Sequence, residues 1–103
     1  MRRAEVYLHG VLAGHIIEKN STNYSLTYLA NYEGNPISQT LPVKETPYFF
    51  NSFPSYFDGL LPEGYQLNIL LKTRKIDAQD YMSQLLAISD DFAGAVSLLE
   101  YEL

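Results

Sequence analysis

PYFFNSFPSYFDGLLPEGYQLNILL, residues 47–71, carries six aromatics in its first half: Tyr48, Phe49, Phe50, Phe53, Tyr56 and Phe57. Prolines at 47, 54 and 62 punctuate it. Proline pre-sets φ and suits the first turn of a helix. Pro54 therefore predicts a short helical turn over 55–61, and Pro62 a longer helix reaching about residue 72. Gly59 and Gly64 loosen the joints. A segment this apolar and this often broken is expected to serve both as the bulk of a small core and as a surface for a partner.

The strands come from the sequence before this stretch. Ala4, Val6 and Leu8 alternate with Glu5 and Tyr7, which is strand period. His9-Gly10 predicts a tight hairpin turn, and 11–18 the returning strand. Residues 18–23, EKNSTN, read as a polar turn. Tyr24, Leu26 and Tyr28 alternate with Ser25 and Thr27 in a third strand. Residues 31–36 read as loop, and 37–41 as a short fourth strand stopped by Pro42.

Beyond the aromatic stretch, Asp77 is a good N-cap and Asp80 adds charge to the first turn of a helix. Ala78, Tyr81, Met82, Leu85 and Leu86 recur at helical spacing, and Ser89-Asp90-Asp91 breaks the pattern. Residues 96–103 predict a closing strand whose alternation slips at Leu98-Leu99, a sign of a bulge or of burial on both faces. The order gives an α+β domain, residues 1–103. Two or three helices are expected on one side of a small, mostly antiparallel sheet made of N-terminal hairpins plus a C-terminal strand. The expected core is Val6, Leu8, Leu26, Leu41, Leu60, Leu70, Leu85 and Val96.

The 103 residues bound the chain to one domain. Its net charge of −5 argues against nucleic acid, whose recognition needs clustered cations. The local cluster Lys72, Arg74, Lys75 suits the end of a helix. The absence of cysteine excludes disulfides, thiolate zinc sites and cysteine nucleophiles. No apolar run approaches the roughly 20 residues of a membrane span, and no signal peptide is visible, so a cytoplasmic location is expected. The glycosylation-type triplets at Asn20 and Asn23 then read as chance matches in a polar turn.

Chemistry is hard to place. His9 and His15 are the only histidines, a zinc site needs more ligands, and the sequence offers no obvious convergent carboxylate near them, so no metal or cofactor is expected. The carboxylate pairs Asp58 with Glu63, and Asp90 with Asp91, come without a nucleophile–base spacing. Asp91-Phe92-Ala93-Gly94 is one residue longer than the kinase D-F-G motif, and no glycine-rich loop or H-R-D element precedes it. The chain is expected not to be an enzyme, with no catalytic residue.

Four pieces in order resemble a known family. VYLHG and VLAG at 6–14 resemble an opening VYLNGxLVG hairpin. PISQTLP at 36–42 resembles PLSLSLP. FDGLLPEG at 57–64 resembles FFDNLLPEG, and DFAGAV at 91–96 resembles DxxGAV. Together they resemble the N-terminal subdomain of HipA-type serine/threonine kinase toxins over nearly the whole chain. His9 and Gln39-Thr40 depart from the pattern, and the kinase body is absent. The resemblance thus narrows to a HipS-like small subunit of tripartite HipBST toxin–antitoxin systems. It implies an antitoxin that binds and inhibits a truncated HipA-like kinase, HipT, in a ternary complex with a helix-turn-helix HipB-like protein. The alternatives are a detached lobe that activates the kinase, or an unrelated small-ligand binder. The expected partner surface is Phe57, Asp58, Leu61, Pro62, Glu63, Gly64 and Tyr65, with Tyr65 off the centre of a buried stripe of Leu67, Leu70 and Leu71.

Overall fold

The computed structural model describes residues 1–89 and 96–101. Five antiparallel strands form one sheet: β1 (Arg2–Leu8), β2 (Val11–Asn20), β3 (Asn23–Tyr28), β4 (Tyr48–Phe50) and β5 (Val96–Tyr101), in the order β4-β3-β2-β1-β5. Three helices follow β4: α1 (Ser55–Asp58), α2 (Gly64–Arg74) and α3 (Tyr81–Ile88). The α+β architecture expected from the sequence is the one observed. No helix among the described residues is long and apolar enough to cross a membrane.

Alternation sets the faces. Ala4 and Val6 of β1, Ile16 of β2, and Tyr24, Leu26 and Tyr28 of β3 are buried on one face, where Phe57 of α1 and Met82 and Leu85 of α3 meet them. The β1–β2 turn has φ of 51° at His9 and 80° at Gly10, the double positive φ of the right-twisted hairpin turn. The pairing register slips beside Val6, where Val6 faces Gly14 and Tyr7 faces Leu12. Ala13 is the extra residue, and its carbonyl accepts from the Leu29 amide at 2.9 Å. At Gly14 the neighbouring strand comes so close that a Cβ would lie 2.2 Å from the Thr27 carbonyl oxygen. Only glycine fits there.

Two aromatic residues join the layers. The Phe53 ring lies 5.5 Å from Tyr24, edge to face, and 5.5 Å from Tyr81 of α3. Phe57 lies 6.5 Å from Phe53 and 5.2 Å from Tyr56. The aromatic stretch is thus divided between core and exposed surface. Phe53 and Phe57 are core, Tyr48, Phe50 and Tyr56 are half-buried, and Phe49 is 75% exposed.

The expected strand at 37–41 does not form; the fourth strand is Tyr48–Phe50 instead. Ile37 and Leu41 are still buried. What replaces the ladder is a side chain: the buried Tyr28 hydroxyl accepts from the Ile37 amide at 3.0 Å and donates to the Leu41 carbonyl. A single phenol supplies both hydrogen bonds that this segment would otherwise take from a neighbouring strand.

Helix boundaries move as well, and α1 ends at Asp58 rather than at 61. The helix expected to start at Asp77 starts at Tyr81, capped by Asp80, whose carboxylate accepts from the Ser83 amide at 3.1 Å. Asp77 instead closes a turn, accepting from the Gln79 amide at 2.7 Å. The buried Gln84 side chain holds that turn to the helix by donating to the Asp77 and Ala78 carbonyls. α2 begins at Gly64 rather than at Pro62, because Glu63 is still extended, with φ −127° and ψ 161°. In β5 there is no bulge and no two-sided burial: Leu98 is buried, Leu99 is 57% exposed, and the register against β1 is continuous. β5 is an edge strand with an open outer face, so Leu99 faces out although it is apolar. The tail of the expected strand at 102–103, the Asp90-Asp91 break and the DFAG motif lie outside the described residues.

Of the expected core, Val6, Leu26, Leu41, Leu85 and Val96 are buried, and Leu8 and Leu60 are half-buried against them. Leu70 is corrected. It is only half-buried, because α2 lies at the margin of the core and buries no residue fully.

Arg2 ties the first strand to the last helix and the last strand. Its guanidinium donates to Asp80 at 2.8 Å, to Ser83 at 2.9 Å and to Glu100 at 3.0 Å. Partial burial works against the Asp80 carboxylate, but the Ser83 hydrogen bonds and the Arg2 charge outweigh it and hold its pKa below the ordinary value. A depressed carboxyl stabilises the fold fully above the ordinary pKa of about 3.9 and loses that contribution as pH falls through the folded value. Melts below about pH 4 should therefore show a loss of stability that is smaller in Asp80→Asn, which keeps the cap but not the charge. Tyr28→Phe should leave the Ile37 amide and the Leu41 carbonyl without partners and lower stability by about 1–3 kcal/mol in a denaturant melt, with the loop from 29 to 47 losing amide protection first.

Candidate functional site

The expected surface lies where α1 passes into α2. Pro54 opens α1, and its carbonyl accepts from the Asp58 amide at 2.9 Å. The Leu60 amide then donates to the Phe57 carbonyl at 3.0 Å, and the Leu61 amide to the Asp58 carbonyl at 3.1 Å. This run of short turns presses Leu60 and Leu61 half-buried onto the core. The platform is stiff because its underside is packed.

The seven expected residues separate by depth. Phe57 is fully buried and presents no surface, so it is corrected from a contact residue to the floor of the site. Its ring points inward because α1 lays that side chain against Phe53 and Tyr56. Leu61 and Pro62 are half-buried, and Asp58, Glu63 and Gly64 are exposed. Tyr65 is 79% exposed and does not fold back onto the Phe53–Phe57 cluster. Gly64 has φ of 57° with nothing within 4 Å of a Cβ, so the constraint at this position is the left-handed backbone and not space. That turn starts α2 in the direction that carries Tyr65 outward.

Sequence reasoning missed Ile69, which is 46% exposed. It stands four residues after Tyr65, hence on the same helix face. The signal was present: an apolar residue in register with Tyr65 and out of register with Leu67, Leu70 and Leu71. Those three leucines are half-buried at most. α2 therefore has no strongly buried side, and its outer side carries Tyr65 and Ile69. Around them stand the carboxylates Asp58 and Glu63, neither in an ion pair among the described residues.

The arrangement is an exposed aromatic–aliphatic pair, Tyr65 and Ile69, on a half-buried platform. Among the described residues no group of three or more His, Asp or Glu converges to hold a metal ion. A concave surface lies elsewhere. It is an open groove of about 590 Å³ between the β1–β2 turn and residues 29–35, lined mainly by Leu8, Val11, Leu12, Leu29, Ala30 and Tyr32.

The fold and sequence are similar to known proteins. The family model of the HipA N-terminal domain matches residues 4–99. A solved structure described as the N-terminal domain of HipA toxin is similar with a TM-score of 0.75 and 25% identity, covering 99% of this chain and 94% of that one. An uncharacterised protein of Haemophilus influenzae is 27% identical over 100 residues, which is 97% of this chain and 93% of that protein. The VLAG and LLPEG motifs fall on the two glycines, Gly14 and Gly64, that the backbone requires. The chain belongs to the HipA N-terminal domain family.

Proposed function

We propose that this protein is a non-catalytic antitoxin of the bacterial cytoplasm. It binds and inhibits a truncated HipA-like serine/threonine kinase of the HipT type, in a complex completed by a HipB-like helix-turn-helix protein. The observation that carries this reading is the exposure of Tyr65 on a helix that buries none of its residues fully, in a domain of the HipA N-terminal family. A large rigid aromatic left in water on a stiff turn is a natural interface anchor. Ile69 extends the apolar contact, and Asp58 and Glu63 form a charged rim that acts on encounter rate and partner choice more than on raw affinity.

Tyr65→Ala separates an interface residue from a structural one. Its melt should stay within about 0.5 kcal/mol of the parent, because the side chain is exposed. Calorimetric titration with the kinase should show binding weaker by about 2 kcal/mol or more. Full affinity in the folded variant would remove Tyr65 from the mechanism. Co-expression with the kinase checks the direction of the effect. The antitoxin should restore growth, and Tyr65→Ala should lose that rescue, whereas an activating lobe would deepen toxicity.

A further inference from the structure

β5 ends the sheet, so one side of its backbone has no partner strand among the described residues. Natural edges are blunted by lysine, proline, a bulge or shortness. β5 has no lysine, proline or bulge, and its one charged residue, Glu100, is paired with Arg2 at 3.0 Å. Its six residues, VSLLEY, pair with β1 in unbroken register and present Leu99 57% exposed. Beside it runs a crevice of about 470 Å³ between β5 and α3, bounded at one end by the last turn of α2. Its apolar wall is Ile76, Leu86, Ala87 and Leu98. Arg2 and Glu100 also line it, but they pair with each other at 3.0 Å. Arg74 is different. It stands in the crevice itself and is exposed, the exposed Lys72 and Lys75 adjoin it in the sequence, and none of the three is in an ion pair among the described residues. This positive end, on a chain of net charge −5, selects for an acidic occupant.

We propose that this edge is a second docking site, which takes an extended, acidic segment of another protein as a sixth strand. The backbone of the segment hydrogen-bonds to the free side of β5. One of its apolar side chains enters the Ile76–Leu86–Ala87 wall, and its carboxylates meet Arg74 and the two lysines. This is strand addition in which main-chain bonds give affinity and the pocket and cations give selectivity. The site stands on α3, β5 and the end of α2, whereas the kinase-binding reading stands on the start of α2, so the two can fail separately.

The test uses a fluorescein-labelled decapeptide that alternates valine with glutamate, its valine–lysine counterpart, and the acidic peptide N-methylated at alternate residues. The acidic peptide is expected to bind at least about tenfold more tightly than the lysine peptide. It should shift amide resonances of residues 96–101 and of α3, and lose binding on N-methylation. Arg74→Glu, an exposed change that leaves the melt unaltered, should remove the preference for acid, and Tyr65→Ala should leave peptide binding intact. Absence of binding, equal binding of both charges, or retention after N-methylation would overturn the proposal. So would shifts confined to other elements, or a dimer of the chain itself formed through β5.

Discussion

Phe53 is the residue on which the two layers depend. It belongs to no regular element, yet its ring touches Tyr24 on the sheet, Phe57 on α1 and Tyr81 on α3. α1 has only four residues and no side-chain cap, so it has little stability of its own. It persists because Phe57 beneath it is fully buried, a contribution of about 1.5–3 kcal/mol from the removal of its surface from water. The platform that carries Tyr65 inherits its rigidity from this cluster. Projecting turn and core are therefore one construction: the aromatics point down so that the turn above them can point up.

The sheet was legible because its signal is local. Period-two alternation in β1 and β3 and the His9-Gly10 turn fix three strands without reference to anything distant. The segment 37–41 misled because Ile37 and Leu41 are apolar and flanked like strand residues. Their backbone partner is the hydroxyl of Tyr28, on a residue already accounted for as a strand position. A phenol acting as both donor and acceptor leaves no pattern in the segment it holds. The short β4 was hidden in the same way, within a run of aromatics whose alternation covers just three residues.

The start of α3 shows competition between equals. Asp77 and Asp80 are both good caps, and propensity cannot choose between them. Ser83, three residues after Asp80, and Arg2, far away in sequence, decide for Asp80, while Gln84 commits Asp77 to the preceding turn. At the candidate site, proline and glycine marked the projecting turn correctly, because backbone constraint is a property of residue type. Depth is not: Phe57 and Tyr65 look alike as aromatics, and only the direction in which α1 and α2 leave the platform separates floor from surface. Ile69 was readable from its spacing to Tyr65, but three leucines on the same helix drew attention to the wrong face.

α2 buries none of its residues fully, and this has a consequence for how such a protein diversifies. Most positions in a small domain are constrained by the packing of its own fold. Those on the outer side of α2 are constrained mainly by whatever lies against them. Under the proposed function, related toxin pairs could be kept from cross-reacting by changing Tyr65, Ile69 and their charged neighbours alone, with the scaffold beneath untouched. On the proposed reading, partner choice is written on the outer side of α2, and changes there leave the aromatic floor that holds the turn in place as it is.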